Sequence, residues 1–367
     1  VAAALAAACA AAVPGCAVGG RAAPVAAVTA FCAGQASPAL SSEMSRAVPG
    51  SLRHPVVPLG ISADGRTAYV SDWTRRFSGV AALDLRTGRI RRIERFASPA
   101  NDQADGAWGG RWLVWEQTYS LRSLDAFTVL AWDSATGRLT RLGRSRDAPS
   151  GQPWPSPWHA PAVHGRYAAW AQGAGPRGLT EIRLADLRTG RVSVISRGHL
   201  QAPFFDGSLL VWPESGRPGA PARLRAYDPA AGRPARLPPV LRPVRGTDQV
   251  AVVGHGIAFV GADLSRLYYS PDPARRARVV LALPPGQAFT NLGGGGALAW
   301  TTTRATYVAD PATGRYAQVT PGYGFAVTGQ GRSVLVVDPP AVKAIHPVLG
   351  MHVVNAAAIG GPACENL

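Results

Sequence analysis

Several polar residues stand at nearly the same distance ahead of a recurring aromatic. Gln103, His159, Gln201 and Asp248 lie eleven or twelve places before Trp115, Trp170, Trp212 and Phe259, and Thr290 lies ten before Trp300. Amide, imidazole, carboxylate and hydroxyl groups gathered at one radius can hold a small polar ligand, a water or a cation. The same groups serve equally to bond neighbouring strands and trapped waters. A second set is aromatic. Trp154 and Trp158 sit in "QPWPSPWHAP", residues 152 to 161, a connection stiffened by proline, and with Trp108 they form a candidate platform for a sugar or peptide. Capping the end of a core is the other use of such rings. Glu116 and Glu214 follow aromatics in "VWEQ" and "VWPE". Two carboxylates facing each other are the equipment of glycoside hydrolysis, whereas strand alternation points both of these to solvent.

Motifs that announce catalysis are missing: the sequence has no G-x-S-x-G, no H-E-x-x-H and no C-x-x-C, and its seven His lack ligand spacing. No catalytic residue, metal or cofactor is therefore assigned, although distant loops can assemble a site without a motif.

These side chains share a site only if the chain repeats a structural unit, and a turn does return along it. "ALDLRTGRIRRI" from residue 82 is followed by "AWDSATGRLTRL" from 131, "LADLRTGRVSVI" from 184, "AYDPAAGRPARL" from 226, "SPDPARRARVVL" from 270 and "VADPATGRYAQV" from 308. Asp84, Asp133, Asp186, Asp228, Asp272 and Asp310 share one register, at intervals of 49, 53, 42, 44 and 38 residues. That period brackets one propeller blade. The Asp carboxylate can accept from N–H groups just beyond it, and Gly88, Gly137, Gly190, Gly232 and Gly314 supply the positive φ that closes a bulged hairpin. The fifth copy has Arg275 and Arg276 there instead, so its turn must differ.

Upstream of each hairpin lies another pair of β-rich runs, centred on Tyr69, Trp115, Trp170, Trp212, Phe259, Trp300 and Val336. The last unit has no Asp-turn hairpin, but "VLGMHVVNAAAI" can supply its third strand. The expectation is an all-β seven-bladed β-propeller of four-stranded antiparallel sheets, with six blades as the alternative. The boundaries read as an export signal over 1–16, a tether and N-terminal segment over 17–54, the propeller over 55–360 and a tail over 361–367.

The repeat "ISADGRTAYVSDW" resembles that of TolB-like propellers, in which a Ser-Pro-Asp-Gly-Arg turn precedes an Ala-Tyr or Ala-Phe strand; Ser62, Asp64, Gly65, Arg66, Ala68 and Tyr69 match it, and Ala63 replaces the Pro. The resemblance implies an exported propeller that binds a protein or peptide at its face. Quinoprotein dehydrogenases carry a similar turn, but their docking Trp has no counterpart in "RIRRI" or "RLTRL", which disfavours that cofactor.

The run "VAAALAAACAAAVPGC" reads as the apolar region of an export signal. Its last residues, Val13 to Cys16, resemble a bacterial lipoprotein lipobox, in which Cys16 would carry lipid and anchor the protein to a membrane. Cleavage elsewhere, as in an ordinary secretory leader, is the other reading. Cys32 and Cys364 lie near opposite ends of the chain. Because a closed propeller brings its ends together, they would form a ring-locking disulfide or else remain two thiols in loose tails.

The net charge of +16 invites a nucleic-acid partner. Against it, Arg outnumbers Lys 37 to 1 and gathers after the turns and in outer strands such as "RIRRIER", where charge protects a sheet edge from pairing. The expected partner is a protein, a peptide or a cell-envelope glycan, with no nucleic acid, and the chain is expected to be a monomer.

Overall fold

The computed structural model describes residues 31–49, 56–73, 78–97, 103–119, 124–157, 159–247, 249–321, 325–329, 331–337 and 350–364. Cys16, Trp158 and Asp248 lie outside the described residues, as does the side chain of Gln103. Antiparallel sheets succeed one another along the chain. Sheet 1 runs from Val56–Ile61 to Ile90–Arg95, sheet 2 from Gln103–Trp108 to Leu139–Arg144 and sheet 3 from Ala162–His164 to Arg191–Leu200. Sheet 4 runs from Phe204–Asp206 to Arg233–Ala235, sheet 5 from Val250–Val253 to Arg278–Ala282 and sheet 6 from Phe289–Gly294 to Arg315–Pro321. Sheet 7 comprises Phe325–Thr328, Ser333–Val337 and Met351–Asn355. Within each sheet neighbouring strands follow in sequence order; sheets 3 and 4 also touch edge to edge, His199 and Leu200 pairing with Ser215 and Glu214.

The turns behave as their residues require. Asp84 Oδ1 accepts from the N–H of Arg86 and Thr87 at 3.0 and 2.8 Å, and the Gly88 N–H reaches the Asp84 carbonyl at 2.8 Å with φ +72°. The copies at Gly137, Gly190, Gly232 and Gly314 close over the same span. In the fifth copy it is Arg275 that donates to the Asp272 carbonyl, at 2.9 Å, so the turn closes one residue sooner and needs no positive φ.

The middle strands are buried on both faces. Trp112–Thr118 and Phe127–Asp133 are buried at every position, because each sheet is covered on both sides by its neighbours. Their apolar side chains fill the gaps between consecutive sheets. Tyr69, Trp115 and Trp132 pack between sheets 1 and 2, Trp112 and Trp170 between sheets 2 and 3, and Trp212 between sheets 3 and 4. Phe259 follows between sheets 4 and 5 and Trp300 between sheets 5 and 6. Val336 packs against sheet 6, while Leu335 and Val337 on the opposite face meet Ile61 and Val70 of sheet 1. The first strand of each sheet touches the first strand of the next, and that of sheet 7 touches that of sheet 1. This radial, propeller-like packing is tightest near the axis. A Cβ on Gly60 would lie 2.5 Å from that of Trp108, and one on Gly329 would lie 2.5 Å from the Ile61 carbonyl oxygen.

Residues 31–49 lie against the last two sheets. Cys32–Ala33 pairs parallel with the outer strand of sheet 6, and Gln35–Ala36 pairs with Ile359–Gly360. The helix Pro38–Ser45, capped by the Ser37 hydroxyl, buries Leu40 in the core between sheets 6 and 7. Ala47 then bridges to His352, and the Val48 N–H reaches the Met351 carbonyl at 2.7 Å. The three C-terminal strands of sheet 7 are thus edged by N-terminal chain. Cys32 and Cys364 form a disulfide across 332 residues. Among the described residues no helix is long and apolar enough to cross a membrane.

Candidate functional site

Polar side chains concentrate in the seam between sheets 2 and 3. Asp105, in the first strand of sheet 2, stands directly opposite Glu116 in the second. Such cross-strand partners hold their Cβ atoms about 5 Å apart on one face. Glu116 is only 1% exposed and its Oε1 has no hydrogen-bond partner. Strand alternation placed Glu116 toward solvent, but the face opposite Trp115 is covered by sheet 3, so the carboxyl is enclosed. Burial pushes the Asp105 carboxyl up to about 6, against the opposing effect of N–H groups from Gly106 and Ala160. Burial, and next the charge of Asp105, push Glu116 well above the ordinary carboxylate range.

Sheet 3 faces this pair with Gln172, fully buried, whose Oε1 accepts from Trp170 Nε1 at 3.1 Å while its Nε2 has no partner. Opposite Gln172 stands Glu181, also fully buried. Glu181 is compensated by arginines reaching in from the rim: Arg183 at 2.6 Å, Arg197 at 3.3 Å and Arg146 at 3.6 Å. A buried carboxylate needs such partners, and these hold the start of the connection onto sheet 3.

That connection, which carries "QPWPSPWHAP", is pinned along its length. The Trp154 N–H reaches the Arg146 carbonyl at 2.8 Å, and the Ser156 N–H reaches Asp125 Oδ1 at 2.8 Å. Ser156 Oγ in turn accepts from the Gly173 N–H at 2.6 Å. Gly173 allows this approach, since a Cβ there would meet the Pro155 carbonyl oxygen at 2.4 Å. Finally the Ala160 N–H bonds the Asp105 carboxylate. The segment beside His159 is thereby tied to the inner strand of sheet 2.

The residues predicted from sequence are distributed differently. His159 is exposed and precedes the first strand of sheet 3 by a few positions. Gln201, exposed, likewise precedes the first strand of sheet 4, and its N–H bonds the Pro213 carbonyl at 3.0 Å. Thr290 lies in the first strand of sheet 6 at a register shift, its hydroxyl donating to the Thr301 carbonyl at 3.1 Å. Gln103 opens the first strand of sheet 2 opposite Thr118. The similar offsets thus mark positions at or near the starts of the first strands. Trp108 is not on a platform surface: its ring stacks on Tyr69 with centroids 4.2 Å apart, between sheets 1 and 2. Trp154 is half-buried on the pinned connection, over Gly173. Glu214 is paired with Arg225 at 2.7 Å, so the carboxylate that meets Glu116 is Asp105.

Sequence reasoning missed Asp105, Gln172 and Glu181. Glu181 had a signal, an acid inside the apolar run "LTEIRLA" with arginines nearby. Asp105 had none until strand register set it opposite Glu116. Among the described residues no group of three or more His, Cys, Asp or Glu is placed to hold a metal ion.

No protein-family model matches the chain, and no curated protein matches it by sequence. Solved structures do. A prolyl endopeptidase superposes with TM-score 0.55 at 14% identity, over 88% of this chain and 49% of that one. The acylaminoacyl peptidase of Pyrococcus horikoshii superposes with TM-score 0.50 at 12% identity, over 79% and 51% respectively. TolB from Acinetobacter baumannii is matched with TM-score 0.38 at 12% identity, over 84% and 65%. The chain spans about half the length of the two peptidases, 49% and 51%. At these identities the likeness concerns the fold alone: the chain is an all-β protein with the propeller arrangement of sheets.

Proposed function

We propose that the protein is an exported, seven-bladed β-propeller that binds a protein, peptide or glycan without catalysis, at the face where its inner strands begin. The observation that carries this reading is the connection between sheets 2 and 3, pinned at Asp125, Gly173 and Asp105. A loop already ordered loses less entropy when a ligand arrives, and loops on a rigid scaffold are where recognition concentrates. Seven blades are supported by the cyclic contacts of the first strands. Export is supported by the Cys32–Cys364 bond, a linkage favoured outside the cytosol. Attachment to a membrane through lipid on Cys16 rests on the sequence alone, as do the monomeric state and the absence of a nucleic-acid partner.

A second reading, an enzyme acting on a glycan or small metabolite at the channel mouth, draws on Asp105 and Glu116. Two carboxyls at cross-strand distance, both with proton affinity raised by burial, are groups of the kind that exchange protons with a substrate. One experiment separates the two. Immobilised peptides and envelope glycans are screened with the wild-type chain, Trp154→Ala with His159→Ala, and Glu116→Gln. The binding reading expects a ligand lost with the loop variant and kept with Glu116→Gln. A ligand that is converted to product, with turnover abolished by Glu116→Gln, replaces it with the enzyme; ligands indifferent to the loop variant overturn it.

A further inference from the structure

The base of the same two sheets holds a second feature, at the other end of the strand Leu139–Arg144 from the pinned connection. The hairpin turns "DSATGR" from 133 and "DLRTGR" from 186 stand side by side and enclose a cleft of about 320 Å³. Its floor is Trp112 and Leu187, both part of the core between sheets 2 and 3. Its walls carry Arg138 and Arg188 and the hydroxyl side chains of Thr136, Thr140 and Thr189.

The local charges do not cancel. Asp133 is held by Arg111 in a two-point pair at 2.8 and 2.6 Å, and Asp186 is paired with Arg166 at 3.4 Å. Arg138 and Arg188 then remain, exposed and without a carboxylate partner among the described residues. Two of the equivalent turns are covered by chain, while that of sheet 4 is open but has no second turn forming a cleft with it among those lining this one. The turn of sheet 6 receives Cys32 and Cys364, whose N–H groups bond the Gly314 and Thr313 carbonyls at 3.1 and 2.9 Å. Beside the turn of sheet 1 lies Pro49, whose carbonyl oxygen would be 2.3 Å from a Cβ on Gly88. Around Gly137 and Gly190 a Cβ would meet nothing within 4 Å.

We propose that this cleft binds an anionic oxygen group, a phosphate or carboxylate, between Arg138 and Arg188. Planar guanidinium groups match such anions in two-point geometry; the Thr136 and Thr189 hydroxyls are engaged within their turns by Asp133 and the Asp186 carbonyl, and the Thr140 hydroxyl adds a neutral donor. The proposal is independent of the mouth and of whether the protein binds or transforms its ligand there.

The test titrates inorganic phosphate, glucuronate and phosphatidylglycerol-containing vesicles into three proteins: wild type, Arg138→Ala with Arg188→Ala, and the charge-matched control Arg233→Ala with Arg236→Ala on sheet 4. All four arginines are exposed, so each protein is expected to fold. The expected result is saturable binding of at least one probe, weakened about tenfold or more by the cleft variant and unchanged by the control. The preferred probe identifies the source of the anion: free phosphate, an acidic glycan or a lipid surface. Absence of saturable binding to all three probes overturns the proposal. Equal weakening in both variants does so as well, because it reports only the net charge of +16.

Discussion

At the scale of single residues, Asp105 and Glu116 show how a fold changes the chemistry of ordinary side chains. Asp105 passes unremarked in the sequence and Glu116 stands out only by following an aromatic; strand register places them opposite each other, and sheet 3 covers Glu116. Folding raises the proton affinity of Asp105, so the stability linked to this group is fully present below the unfolded value near 4 and is lost as pH rises through about 6. The loss corresponds to about 3 kcal/mol for a shift of about two units. Asp105→Asn keeps an acceptor for the Ala160 N–H but cannot ionise. Urea unfolding at pH 5 and pH 8 is expected to show wild type weakening between the two and the variant weakening less, the remainder belonging to Glu116, whose carboxyl burial also raises. An unchanged wild-type slope in the variant would show that Asp105 is not the group responsible.

Elements here are defined by closeness as much as by pattern. The turn glycines and the axial glycines do different work, and only the former carry a sequence signal, the Asp four residues before. Gly232 serves its turn through φ +66° and has almost open space around it, whereas Gly60 lets the inner strands of sheets 1 and 2 meet. Gly232→Ala is expected to cost about 1 kcal/mol through backbone strain. Gly60→Ala forces a side chain into Trp108 and should cost more, about 1–3 kcal/mol, and disturb the Tyr69–Trp108 stack. Denaturation midpoints of the two variants, with near-ultraviolet circular dichroism of the aromatic signal, compare them directly. Equal losses with an unchanged aromatic spectrum would contradict crowding at the axis. The turns themselves were legible: Asp at one register with Gly four residues on means one closure, and the copy with Arg275 and Arg276 closes earlier because no glycine is available.

For the whole molecule the question is how an array of sheets becomes a closed body. Edges are unsatisfied until first meets last, and here Leu335 and Val337 against Ile61 and Val70 make that contact. The N-terminal chain edges sheet 7, and the Cys32–Cys364 bond ties it to the C-terminus. Cys32→Ser is expected to lower stability by up to about 6 kcal/mol on the chain-entropy account for a loop of 332 residues, with the same loss on adding a reductant to wild type and no further loss in the variant. A variant as stable as the oxidised wild type would show that the bond constrains nothing. By itself the sequence determined the repeat, the hairpin turns, the aromatic at the centre of six units and the all-β class, because these follow from local backbone demands and short-range periodicity. Only the tertiary structure decided that Glu116 is buried beside Asp105, that Trp108 stacks on Tyr69 against the core between sheets 1 and 2, and that the cleft between Arg138 and Arg188 stays open. Those depend on which face of a strand the neighbouring sheet covers, and that is fixed by packing between units far apart in the chain.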